Sequence, residues 1–139
     1  MDHIVYCDKK AGELERLLSG DQTMVIRGAA GRKLPHGRVS VGDNLFFINN
    51  DGGGRIVARG VVSDVFCSER LTAEESESLI MDNISRLKLT EDQKRRWSGK
   101  RYLCLTGVSE VKEIPPFAYA REKNMDDWII VEDIETIKK

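Results

Sequence analysis

Thr23-Met24-Val25-Ile26-Arg27-Gly28-Ala29-Ala30-Gly31-Arg32-Lys33-Leu34 opens the segment on which the reading of this chain turns, and Val41-Gly42-Asp43-Asn44-Leu45-Phe46-Phe47-Ile48-Asn49-Asn50 closes it. Residues 23–27 are β-branched or apolar up to the arginine, which reads as a strand. Leu45 to Ile48 is an unbroken apolar run, the mark of a strand covered on both faces. Between them, residues 28–44 hold four glycines and one proline among basic side chains, an ordered loop. Asn49-Asn50-Asp51-Gly52-Gly53-Gly54 is a hairpin turn, since these residues tolerate positive φ. Arg55 to Phe66 then forms a long strand, with a bulge expected at Gly60.

Working outward, residues 3–6 (His-Ile-Val-Tyr) are a short strand, and Asp8 is placed to cap a helix that carries Leu14, Leu17 and Leu18 and stops at Gly20. On the other side, two capping boxes announce two helices. Thr72-x-x-Glu75 opens one with the stripe Leu79, Ile80, Ile84 and Leu87; Thr90-x-x-Gln93 opens the next, which ends at Trp97, Ser98 and Gly99. Arg101 to Glu113 is a second long strand with Gly107 as a bulge candidate; Pro115-Pro116 is expected to end it, and Trp128 to Val131 is the last strand. Six strands and three helices predict an α+β fold with a curled sheet or small mixed β-barrel, because bulges bend long strands around corners. The chain reads as one domain over residues 1–139 with a helical insert at about 72–98.

Composition narrows the function classes. In 139 residues, 22 Lys and Arg stand against 23 Asp and Glu, and 40% of residues are hydrophobic, which excludes disorder and a bulk nucleic-acid coat protein. No run of about 18 apolar residues exists to span a membrane, and the N-terminus has no secretion-signal pattern. Cys7, Cys67 and Cys104 are far apart and form no Cys-x-x-Cys, which fits a reducing cytoplasm, with Cys104 expected as a buried free thiol. With His3 and His36 the only histidines, neither a metal nor any other cofactor is expected.

No nucleotide-cradle or nucleophile-elbow motif is present. Two basic clusters remain. From Gln22 to Gly42 no acidic residue occurs, while Arg27, Arg32, Lys33 and Arg38 surround His36. Such a glycine-rich basic loop brings backbone N–H groups and guanidinium forks up to a phosphate or base edge. Lys94, Arg95, Arg96, Lys100 and Arg101 form the second cluster, read as a solvated helix end because cations favour helix C-termini. Phe46, Phe47 and Phe66 are assigned to the core. Tyr119 after the Pro-Pro turn is the best exposed stacking candidate, Trp128 is equally placed as core or site, and Asn49 is a candidate for reading a base edge.

The segment quoted at the outset, with Ile56 to Val65 and its Gly60, resembles the PUA-like superfamily, in particular its ASCH and EVE branches. There a strand ending in Arg leads through a basic loop to a Val-Gly-Asp turn and an apolar strand. The resemblance implies a small mixed barrel with flanking helices whose cleft binds RNA or a modified nucleotide or nucleoside. It puts Arg27, Gly28, Arg32 and Lys33 in the ligand-facing loop. Some ASCH-like proteins hydrolyse acylated cytidine with a Lys, a Thr and a Glu. Here Gln22 and Val25 stand at the Lys and Thr positions and Glu69 at that of the Glu, so the nucleophile is missing. EVE-like members carry an Asn where this chain has Gly28.

The leading expectation is therefore a binding module rather than an enzyme, with Arg27, Gly28, Arg32, Lys33, His36, Asn49, Tyr119 and Trp128 as ligand contacts. The alternatives are a small nucleoside or nucleic-acid hydrolase working through Lys33, His36 or Glu69, and a protein-interaction domain presenting the insert from Thr72 to Trp97.

Overall fold

A computed structural model describes residues 1–121 and 126–139. Among the described residues there are six strands, β1 (Asp2–Cys7), β2 (Met24–Ala29), β3 (Asn44–Asn49), β4 (Arg55–Cys67), β5 (Tyr102–Ala118) and β6 (Trp128–Val131). They make one mixed sheet in the order β2-β5-β4-β3-β1-β6, with β1 and β3 parallel and the other neighbours antiparallel. The sheet curls into a half-barrel, an α+β architecture as the sequence predicts. Its two ends, β2 and β6, face each other across a seam.

Period-two alternation separates the two faces. Val5, Cys7, Val25, Phe47, Val62, Val108 and Trp128 fill the concave side together with Leu14 and Leu17 of helix α1 (Glu13–Ser19). On the convex side of β2 and β5, Met24, Ile26, Leu103 and Leu105 are covered by Ile80, Leu87 and Trp97 of the insert. Ile4, Tyr6, Phe46, Ile48 and Ile56 are covered by Tyr119 and Ile134 near the C-terminus. Both faces are buried, which is why these strands read as continuous apolar runs instead of alternating ones.

The insert comprises α2 (Ala73–Asp82), α3 (Ile84–Leu87) and α4 (Glu91–Trp97), and both capping boxes form as expected. The stripe read as one helix breaks at Asn83, whose φ of −114° is not helical, so the described residues hold four α-helices where three are expected. Helix α1 is capped by Gly12 in the left-handed region; Asp8 instead accepts from the Ala11 N–H and shapes the preceding turn. At Gly60 the ladder is irregular, but the extra residue is on β5: between the pairs Arg59–Lys112 and Val61–Ser109, Gly60 alone faces Glu110 and Val111. At Gly107 the extra residue lies on the opposite strand, at Ser63.

Pro115-Pro116 does not end β5, which continues to Ala118. Ile56 pairs with Phe117 and Ala58 with Glu113, so the prolines sit in a bulge where no ladder N–H is required. This continuation carries Tyr119 into the core at 5% exposure, against the expectation that it is exposed. Phe66 departs in the other direction. It is 51% exposed on the outer face of β4, where it borders Leu71 and Leu79, while Phe46 and Phe47 are buried as expected.

Candidate ligand-binding cleft

Arg27 is the last large side chain of β2 on the concave face, two residues after the core Val25. It reaches across the seam. Its Nη2 donates to the Tyr6 carbonyl of β1 at 2.7 Å and its Nη1 to the Ile26 carbonyl at 2.8 Å. Nε lies 3.2 Å from the Asp127 carboxylate, and the guanidinium stands 5.6 Å from the centre of the Trp128 ring. Asp127 is thus its acidic partner, while Asp43 and Asp64 pair with His3 and Arg86.

Over this seam two recesses of about 170 and 310 Å³ meet, sharing Arg27, Asn50, Arg96, Trp97 and Asp127. Lys9 and Lys10 border the first, Gly28, Lys33 and Lys100 the second. Six basic side chains therefore face three acidic ones, Asp8, Glu13 and Asp127. Glu13 is 3% exposed and accepts from the Asp8 N–H and the Gln22 amide, so its charge is directed into the protein. A third recess, of about 340 Å³, adjoins on the far side of Tyr6 and Asn50, with Asn49, Tyr119 and Arg121 in its wall. The Asn49 Oδ1 is buried there without a hydrogen-bond partner.

The second basic cluster divides by helical geometry. Lys94 and Arg95 pair with Glu91 and Asp92 one turn back on the solvent side of α4. Arg96, next along, turns to the cleft, lies 4.7 Å over the Trp97 ring and approaches Asp127 to 3.8 Å. Arg96 and Lys100 are the functional candidates that reading the cluster as a uniform helix end missed. The signal that finds them is the i,i+3 acidic partner of Lys94 and of Arg95, set against Arg96, whose residue three positions back is Gln93.

Of the residues singled out in the sequence, Arg27, Gly28 and Lys33 come together in this cleft. Arg32 points away, paired with Glu69 at 3.3 Å and set over the Tyr102 ring. His36 is a loop anchor: its Nε2 donates to the Ser68 carbonyl at 2.8 Å and its ring meets Tyr102 edge-on. Trp128 is core, 2% exposed, with its indole N–H bound to His3. Tyr119 shares a hydroxyl–hydroxyl hydrogen bond with Tyr6, and burial first, then that bond, pushes its phenol well above the ordinary value. Lys33, His36 and Glu69 do not converge; only Lys33 borders the cleft, and the Glu69 side chain is 93% exposed. Gln22 and Val25 are 1% and 0% exposed, packed away from solvent. Among the described residues no three His, Cys, Asp or Glu side chains are grouped to hold a metal ion, and no helix is long and apolar enough to cross a membrane.

No family model and no curated protein matches the chain. Solved structures do. The crystal structure of the ASCH protein from Zymomonas mobilis matches with a TM-score of 0.72 at 12% identity, covering 97% of this chain and 90% of that one. Two single-substitution variants of that protein each match with a TM-score of 0.70 over 97% of this chain, also at 12% identity. At this identity the likeness is one of fold: the chain has the fold of that ASCH protein.

Proposed function

We propose that the cleft over the β2–β6 seam binds RNA or a modified nucleotide, without itself doing chemistry. The observation that carries this reading is the convergence of Arg27, Lys33, Arg96 and Lys100, from two separate segments of chain, around Trp97 and Asn50. In a chain of net charge −1 this is a local concentration of positive charge, which draws in an anion. Lys33, Arg96 and Lys100 are the phosphate contacts. The Arg96 guanidinium, backed by the Trp97 ring, offers a flat cationic face on which an unstacked base can lie. The exposed Asn50 amide supplies a donor and an acceptor for a base edge.

Salt titration of binding to short single-stranded RNA tests this. Affinity is expected to fall linearly on logarithmic axes with a slope set by the number of phosphates neutralised. No binding of any RNA or nucleotide at low ionic strength would overturn the proposal.

A further inference from the structure

The fold turns three cysteines scattered through the sequence into one isolated thiol and one pair. Cys7 is sealed in the core at 0% exposure. Cys67 ends β4 and faces Cys104 of β5 as its cross-strand partner, with the two sulfurs 3.3 Å apart. The adjoining Ser68 N–H donates to the Leu103 carbonyl at 2.9 Å. Antiparallel ladders alternate, so Cys67–Cys104 is a non-hydrogen-bonded pair, the closer kind, with Cα atoms typically about 4.5 Å apart. That separation lies inside the roughly 4.4–6.8 Å range a disulfide spans.

The two thiols are not equivalent. Cys67 is half-buried, reachable at the end of its strand, and its Sγ accepts the Gly37 N–H of the basic loop at 3.2 Å. Cys104 is 2% exposed; burial, then the neighbouring Cys67 sulfur, pushes its thiol up to about 12. Register places Arg27 next in the same row, opposite Cys104, so the pair lies directly beside the cleft with a cation at its end.

We infer that Cys67 and Cys104 are a reversible oxidation site, closed by hydrogen peroxide into a cross-strand disulfide. In the first step the Cys67 thiolate attacks one peroxide oxygen, the O–O bond breaks, and Cys67 becomes a sulfenic acid with release of hydroxide. In the second, the Cys104 sulfur attacks the Cys67 sulfur, the S–O bond breaks, and the hydroxyl leaves as water with the Cys104 proton. The two thiols lose two electrons and peroxide is reduced to water. A thiol reductant reverses the bond by exchange at the accessible Cys67 sulfur. A reducing compartment keeps the pair open at rest, so closure reports a transient oxidant. The inference rests on the thiol geometry and is independent of what the cleft binds.

The test uses the reduced full-length chain. It is exposed to a small excess of hydrogen peroxide, quenched with catalase, blocked with N-ethylmaleimide in denaturant, digested and mapped by mass spectrometry. The expected result is a linked peptide joining Cys67 to Cys104 in most molecules, a maleimide on Cys7, and three maleimides after dithiothreitol. In Cys104→Ala, Cys67 is expected to accumulate as a sulfenic acid captured by dimedone, with no intrachain link. The wild-type map stands without that variant. Cys67 carried on to sulfinic acid while Cys104 stays blockable, a link through Cys7, or three blockable thiols after peroxide would each overturn the inference.

Discussion

The indole N–H of Trp128 donates to Nδ1 of His3 across 3.0 Å, and His3 is wholly buried. An indole can only donate, so Nδ1 is the acceptor and the ring proton sits on Nε2, 2.8 Å from the Asp43 carboxylate. Asp43 also accepts the Ser40 N–H. One neutral histidine thus ties β6, β1 and the Val-Gly-Asp turn into a line, and this turn is where the long basic loop re-enters the sheet.

Burial outweighs the Asp43 contact and holds the His3 imidazole below its ordinary value. The unfolded group titrates near 6.5. Above that value both states are neutral and the contribution to stability is complete. As pH falls through it towards the lower folded value, the unfolded chain takes up a proton that the folded one refuses, and stability drops. The melting temperature is expected to decline between about pH 7.5 and about pH 5.5, and His3→Gln, which keeps a donor and an acceptor but does not titrate, should flatten that decline. An identical pH profile in His3→Gln would remove His3 as its source. His3→Ala should cost about 1–3 kcal/mol at neutral pH, because the Trp128 N–H loses its partner in the core.

Arg27 closes the seam as well as lining the cleft. Arg27→Ala strands the Tyr6 carbonyl and the Asp127 carboxylate, and is expected to lower stability by about 1.5–3 kcal/mol, the range for charge-assisted hydrogen bonds. Arg27→Lys should recover only part of this, since one ammonium cannot bridge both carbonyls and the carboxylate as a planar fork does. Thermal melts decide it; an Arg27→Ala chain as stable as wild type would show that the seam does not depend on this side chain.

Helical position predicts opposite outcomes for neighbouring arginines. Arg96→Ala, Lys33→Ala and Lys100→Ala should each weaken RNA binding and reduce the logarithmic salt slope by about 1, the signature of one lost phosphate contact. Arg95→Ala, whose side chain pairs with Asp92 on the solvent side, should leave both unchanged. Equal effects from Arg95 and Arg96 would mean that diffuse charge, not the cleft, attracts the RNA.

Gly107 is required by its neighbours. A Cβ there would land on the Asp64 carboxylate, which holds Arg86 in a two-pronged pair of 2.8 and 2.9 Å. Arg86 also donates to Thr23, so the pair fastens α3 to the start of β2. Gly107→Ala is expected to cost about 1–3 kcal/mol through overpacking, and Asp64→Ala should remove most of that penalty. A Gly107→Ala chain that melts with wild type would show that the pair shifts aside freely.

Much of the fold was legible because it is written in local chemistry. The two capping boxes, the Gly20 stop and the turn after β3 each rest on a few adjacent residues whose backbone preferences are strong. The site was legible only in part. Arg27, Gly28 and Lys33 lie within one stretch of seven residues and were found together, whereas Arg32, five residues after Arg27, turns outward to Glu69. Tyr119 was misplaced because Pro-Pro ordinarily ends a strand, and nothing local announces that the partner strand carries a single residue, Val57, opposite three.

What the sequence determined by itself is the set of elements, their order and their apolar faces, since these follow from periodicity and from caps and turns within a few residues. It determined too that a basic segment stands between β2 and β3. Only the tertiary structure decided which cations meet: Lys33 before β3, Arg96 at the end of α4 and Lys100 just after it share a cleft with Arg27. It also paired Cys67 with Cys104 and Trp128 with His3, contacts that span 37 and 125 residues. The physical reason is the same for all three. Strand register and sheet curl place side chains from distant segments side by side, and both are set by packing of the whole core, which no window of sequence contains.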